Sequence, residues 1–107
     1  MNLIIKNVLN NIDKEGLTFF KEQIKFRKEM NSDQVENALL HNFLNAMKNK
    51  LDIARINGRD GWFVKSECSH AHLVKLLKEH IEKGDPIDVA NFCFFLWARD
   101  ESTKEIV

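Results

Sequence analysis

The residues Gly84-Asp85-Pro86-Ile87-Asp88-Val89-Ala90-Asn91-Phe92-Cys93-Phe94-Phe95-Leu96-Trp97-Ala98-Arg99 set the reading of the whole chain. A glycine suits the left-handed position at which a preceding helix stops. Asp85 then offers a carboxylate to the first free N–H groups of the next helix. Pro86 fits the first helical position, where its missing N–H would have had no partner in any case. Asp88 falls in the first turn, near the positive end of the helix dipole. From Ile87 to Trp97 the helix is apolar nearly all round, with Asn91 interrupting the run. Such a helix must be covered on several sides. It is expected either as the central helix of the domain or as a core helix that also supplies a partner surface. Cys93 reads as a small buried hydrophobe within it.

Upstream of Gly84, the residues Leu73, Leu76, Leu77 and Ile81 recur at helical spacing with His80 on the same side, and Ser69 is placed to cap their helix. The preceding stretch, Asn57 to Ser69, is the one clear non-helical segment. Gly58 suits the left-handed end of a helix and Gly61 permits a second sharp turn. Further back, Val35, Leu39, Phe43, Met47, Leu51 and Ala54 form a stripe at steps of three and four. Asn31 and Gln34 have the spacing of a capping box at its start. Two shorter amphipathic segments precede it, one with Ile5, Val8, Leu9 and Ile12 and one with Leu17, Phe20 and Ile24, separated by the polar break Asp13 to Gly16. The expectation is an all-α, compact single-domain bundle of about five helices over residues 1–107, with the apolar C-terminal helix at its centre. Residues 1–56 form the N-terminal helices and 57–100 the most distinctive region, while the polar tail from Glu101 should fray.

Composition narrows the function classes. Sixteen Lys and Arg balance sixteen Asp and Glu, so bulk charge gives no support for nucleic-acid binding. Lys21, Lys25, Arg27 and Lys28 do cluster among Phe19, Phe20 and Phe26, but Glu22 and Glu29 interrupt them, as on a solvated helix face. No basic recognition helix follows a tight turn, so a helix-turn-helix is not supported. Two cysteines, Cys68 and Cys93, cannot build a disulfide framework. No charged segment leads into an apolar one at the start, and the run from Val89 to Ala98 is too short to span a bilayer. A cytoplasmic protein with reduced thiols and no membrane partner is expected.

The string from Asn57 to Arg99 carries a resemblance. Asn57-Gly58-Arg59-Asp60-Gly61-Trp62, then Cys68-Ser69, then Leu76 through Leu96 with its Gly-Asp-Pro-x-Asp-Val-Ala-Asn-Phe core, resembles a box in small bacteriophage and prophage proteins of no assigned function. It covers about two fifths of the chain; Met1 to Ile56 carries no such likeness. The resemblance implies a mobile genetic element as origin and the cytosol of a host cell as compartment. A weaker similarity is to the all-α nucleotide pyrophosphohydrolases of the MazG type, which hold magnesium at a triphosphate with paired acidic motifs. Asp85 and Asp88, with Glu79 and Glu82, stand where one acidic helix would lie, but the partner Glu-x-x-Glu motif is absent. The long third helix offers only Asp33 and Glu36 at its start. Hard divalent ions need several converging oxygens.

Each candidate site competes with a plain structural role. Cys68, His70, His72 and His80 lack zinc-ligand spacing, because alternate residues of a helix point to different faces. A Cys68 thiolate near a helix start is chemically sound, yet no orienting residue or oxyanion hole is legible. Trp62 can plug the core while Arg59 pairs with Asp60, Asp85 or Asp88; alternatively these side chains form a recognition patch on a loop held by rigid helices. Asp85 and Asp88 read first as helix caps and second as an acidic rim beside that loop. The residue set expected to face a partner is Arg59, Asp60, Trp62, His80, Asp85 and Asp88, with no catalytic residue, metal or cofactor expected. The expected function is a small non-enzymatic phage or prophage interaction protein, of the kind that inhibits a host defence system (anti-CRISPR or anti-restriction) by occupying a protein surface. Its partner would be a host or phage protein, and the apolar final helix leaves room for a homodimer. The alternative is a nucleotide-binding or magnesium-dependent nucleotide-hydrolysing helical protein, or a sponge for a signalling nucleotide.

Overall fold

A computed structural model describes residues 14–24 and 31–105, with side chains given for residues 16–22 within the first of these segments. The described residues form four helices and no strand: α1 (Lys14–Ile24), α2 (Ser32–Ile56), α3 (His70–Lys83) and α4 (Pro86–Ala98). The chain is therefore all-α, with four helices described where about five were expected. The helix expected between Leu3 and Ile12, and the basic residues Lys25, Arg27 and Lys28, lie outside the described residues. The chain divides inside α2 into two units, Met1–Asn45 and Ala46–Val107.

Helix boundaries follow local chemistry closely. Asn31 and Gln34 make a reciprocal capping box: Gln34 N–H donates to Asn31 Oδ1 at 2.9 Å, and Asn31 N–H donates to Gln34 Oε1 at 3.2 Å. Ser69 Oγ accepts from His72 N–H at 3.1 Å to start α3. Gly84 ends that helix at φ +84°, with its N–H shared between the His80 and Ile81 carbonyls. Asp85 Oδ1 accepts from Ile87 N–H at 2.9 Å, and Pro86 opens α4.

In the first unit Ala38 is buried, and Asn42 Nδ2 donates to its carbonyl one turn back at 2.9 Å. Phe43, expected in the buried stripe, is 38 % exposed, as are Leu40 and Leu44 to a greater degree. The described part of this unit holds α1 and the first half of α2, so its apolar stripe has few elements to pack against.

The core of the second unit is Leu73, Val74 and Leu77 from α3 against Phe95 and Leu96 from α4. Leu51 of α2, Trp62 and Cys68 of the loop, and Val89, Phe92 and Phe94 pack around it. Each fully buried aliphatic side chain contributes about 2 kcal/mol of hydrophobic stabilisation. Asn91, which breaks the apolar run, is buried and donates from Nδ2 to Met47 O at 3.3 Å, tying α4 to α2.

The folded unit departs from three expectations. The final helix is not covered on several sides: it buries Asn91, Phe95 and Leu96, while Cys93, Trp97 and Ala98 are exposed. Cys93 is therefore not a core residue. Ile81, assigned to the core face of α3, is 54 % exposed, outside the Leu73–Val74–Leu77 strip that forms the core with α4. The common reason is supply. With α3, the loop and the end of α2 as the packing elements of this unit, one flank of α4 has no covering element among the described residues.

Candidate functional site

The loop from Asn57 to Ser69 is a chain of turns. Gly58 and Gly61 take φ near +82° and +83°, the left-handed region open to glycine. Asp60 Oδ1 accepts from Gly61 N–H at 2.6 Å, and Val64 O accepts from both Glu67 and Cys68 N–H at 3.0 Å. What fixes this loop to the helices is Arg99, just past the end of α4. Its guanidinium side chain is only 3 % exposed. Nη1 donates to Trp62 O at 2.6 Å and to Cys68 O at 2.8 Å, so one cation ties both ends of the turn. Nη2 donates to Glu101 Oε2 at 3.1 Å, and Nε lies 2.7 Å from Glu101 Oε1. Buried charge persists where it is paired, and the Glu101 carboxylate pairs this one. The tail is thus anchored rather than frayed at Glu101, and Ser102 O pairs with His70 Nε2 at 2.7 Å.

Trp62 is the loop's anchor. Its ring stacks on Phe95 with centroids 4.4 Å apart and planes 14° apart. It also forms the middle of an aromatic ladder. Phe63 meets Trp62 edge-on at 5.5 Å, Trp62 meets Phe94 at 5.6 Å, and Phe94 meets Trp97 at 6.5 Å. The two inner rings are half-buried, whereas Phe63 is 60 % and Trp97 76 % exposed. Arg59 and Asp60 are exposed on the same loop as Phe63.

The remaining expected site residues are placed elsewhere. Asp85 and Asp88 do not meet Arg59; both carboxylates bind Lys50 Nζ of α2, Asp88 at 3.0 Å. Hydrogen bonds that it donates first to Asp85 and then to Asp88 hold the Lys50 ammonium above the ordinary lysine value. Lys50, then the Ile87 N–H, hold Asp85 below the usual carboxylate range. His80 Nδ1 pairs with Leu76 O at 2.8 Å and its ring lies 4.6 Å from Phe92, so it serves the α3–α4 contact. Among the described residues no three His, Cys, Asp or Glu stand together so as to hold a metal ion. No described helix is long and apolar enough to cross a membrane.

The Lys50 clamp carries a pH prediction. A depressed Asp85 contributes stability that is present above its unfolded value, about 3.9, and is lost as pH falls through the folded value. A raised Lys50 contributes stability that is present below its unfolded value, about 10.4, and is lost as pH rises through the folded one. Melting temperatures of the wild type and Lys50→Met are expected to differ by a few degrees at neutral pH. They should converge in strong acid and again in strong alkali, and added salt should shrink the gap. A constant difference across pH, measured by circular dichroism, would show that the clamp acts through packing alone.

Phe63, Lys50 and Arg99 are the residues of this region that the sequence does not single out. Phe63 had a signal: a second large aromatic beside Trp62 in an otherwise polar loop. Arg99 had a weaker one, a cation just beyond an uncharged helix end, where free carbonyls collect. Against known proteins, the chain matches no family model, no curated protein and no solved structure.

Proposed function

We propose that the chain is a non-enzymatic interaction protein that binds a partner protein through the Asn57–Ser69 loop. The observation that carries this reading is Phe63, a large apolar side chain left 60 % exposed on a backbone pinned by the buried Arg99. A rigid loop presents such a group at little entropic cost, and aromatic and arginine side chains dominate interface energetics. Arg59 and Asp60 beside it supply polar contacts at a rim. Asp85 and Asp88 are both engaged by Lys50, so this reading does not draw on them. The nucleotide alternative would require magnesium to displace that lysine.

The phage-type box in the loop and α4 points to host defence machinery as the place to seek the partner. Purified chain, immobilised and exposed to host cytosol, is expected to enrich one protein whose recovery falls about 10-fold or more with Phe63→Ala or Arg59→Ala. Melting of both variants should stay close to wild type, because surface changes of this kind cost within about 0.5 kcal/mol. Expression of the wild type, and not of Phe63→Ala, should raise phage plating on defended strains. Equal recovery with wild type and Phe63→Ala would overturn the loop as the contact surface.

A further inference from the structure

Asn57 is the chain's one asparagine followed by glycine. The side chains of Asn31, Asn42 and Asn91 are held by hydrogen bonds. Asn57 is exposed just past the end of α2, and among the described residues its carboxamide enters no hydrogen bond. Gly58 is exposed as well, and no other part of the chain comes within 4 Å of where a side chain would begin on it. An unshielded backbone nitrogen thus follows a free carboxamide. We propose that this pair is a self-modification site: Asn57 loses its amide and becomes an acidic residue, a slow change that ages the loop beyond it.

The chemistry needs only water. The Gly58 nitrogen gives up its proton to solvent and attacks Asn57 Cγ; the N–Cγ bond forms, the Cγ–Nδ2 bond breaks, and the amide leaves as ammonia. Water then opens the five-membered imide. Cleavage between the nitrogen and Cγ leaves an aspartate. Cleavage between the nitrogen and the Asn57 backbone carbonyl carbon leaves an isoaspartate, whose main chain is one carbon longer. The fold sets the pace. Gly58 N–H donates to Arg55 O at 2.9 Å and Arg59 N–H donates to Ala54 O at 2.9 Å, the pair that closes the end of α2. The nitrogen is freed only when this last turn opens, and a helix end opens at small cost. Loss of that hydrogen bond corresponds to a rate about 10-fold below that of an unstructured chain. The consequence falls on the loop, and so rests on its reading as the contact surface. From Asn57 to Ser69 the charges of Arg59 and Lys65 balance those of Asp60 and Glu67, and a new carboxylate two residues before Arg59 makes the sum negative.

The full chain and a peptide spanning Ala54 to Trp62, incubated side by side in mildly alkaline buffer at body temperature, test this by tandem mass spectrometry. After about ten peptide half-lives, roughly half of the chain should be heavier by about one dalton at residue 57. The isoaspartate fraction should accept methyl groups from an isoaspartyl methyltransferase. Asn57→Gln should stay unmodified, because its longer side chain closes the ring poorly, and as residue 57 is exposed the variant keeps the fold. Recovery of the partner protein is expected to fall as the wild type ages and to hold steady for Asn57→Gln. Conversion of the chain below about a tenth over the same time, or equal conversion at other asparagines, overturns the site. Partner recovery that does not change with age overturns the ageing of the loop. Failure of the loop reading itself shows separately, as equal recovery by fresh wild type and fresh Phe63→Ala.

Discussion

Arg99→Met is expected to destabilise the second unit by about 3–5 kcal/mol, the usual cost of removing one member of a buried pair. The methionine fills much of the space but donates nothing. Trp62 O, Cys68 O and the Glu101 carboxylate all lose the group that satisfied them. Domains of this size are stable by only about 5–15 kcal/mol, so the loss is a large fraction of the total. Arg99→Lys should fall between the two. It keeps the charge, but a single ammonium cannot span two carbonyls and a carboxylate as the planar fork does. Urea unfolding followed by circular dichroism gives the numbers. A change below about 1 kcal/mol in Arg99→Met would mean that the loop holds itself by its own turns. Loosening should also reach function: the same variant should lose partner binding at temperatures where the helices remain folded, because Phe63 is no longer presented on a fixed backbone.

Trp62→Ala is the second large effect, at about 3 kcal/mol, the low end for an aromatic-to-alanine change because the ring is half-buried. The ring lies flat on Phe95 of the core and touches Phe63 and Phe94, so its removal opens a cavity and takes away the floor beneath Phe63. Trp62→Phe keeps an apolar ring in the same place and should cost under about 1.5 kcal/mol. Near-ultraviolet circular dichroism, which reports fixed aromatic packing, should collapse in Trp62→Ala and persist in Trp62→Phe. Equal stability of the two variants would place Trp62 outside the core, against the stacking distance of 4.4 Å.

The candidate site is partly legible in the amino-acid sequence. Trp62 reads there as either core plug or contact residue, and it is the plug from which the exposed Phe63 extends. Arg59 and Asp60 stay on the exposed loop. His80, Asp85 and Asp88 have partners of their own within the fold: Phe92 for the imidazole and Lys50 for the carboxylates. Charge and spacing along the chain identify groups in need of partners, but several partners satisfy the same need.

Helix limits were determined by the sequence. The Asn31–Gln34 box, Ser69, Gly84 and Asp85-Pro86 all act within three or four residues of themselves, through hydrogen bonds that a single turn closes. Tertiary structure alone decided which flank of the apolar helix is covered, that Lys50 answers carboxylates 35 and 38 residues away, and that Arg99 reaches carbonyls 37 and 31 residues away. Apolar burial has no direction and many arrangements bury a similar area. The choice therefore falls to the few polar groups that must find distant partners and to the number of elements available to pack. Those two constraints leave Cys93, which reads as core along the chain, and Trp97 on the outside of the folded unit.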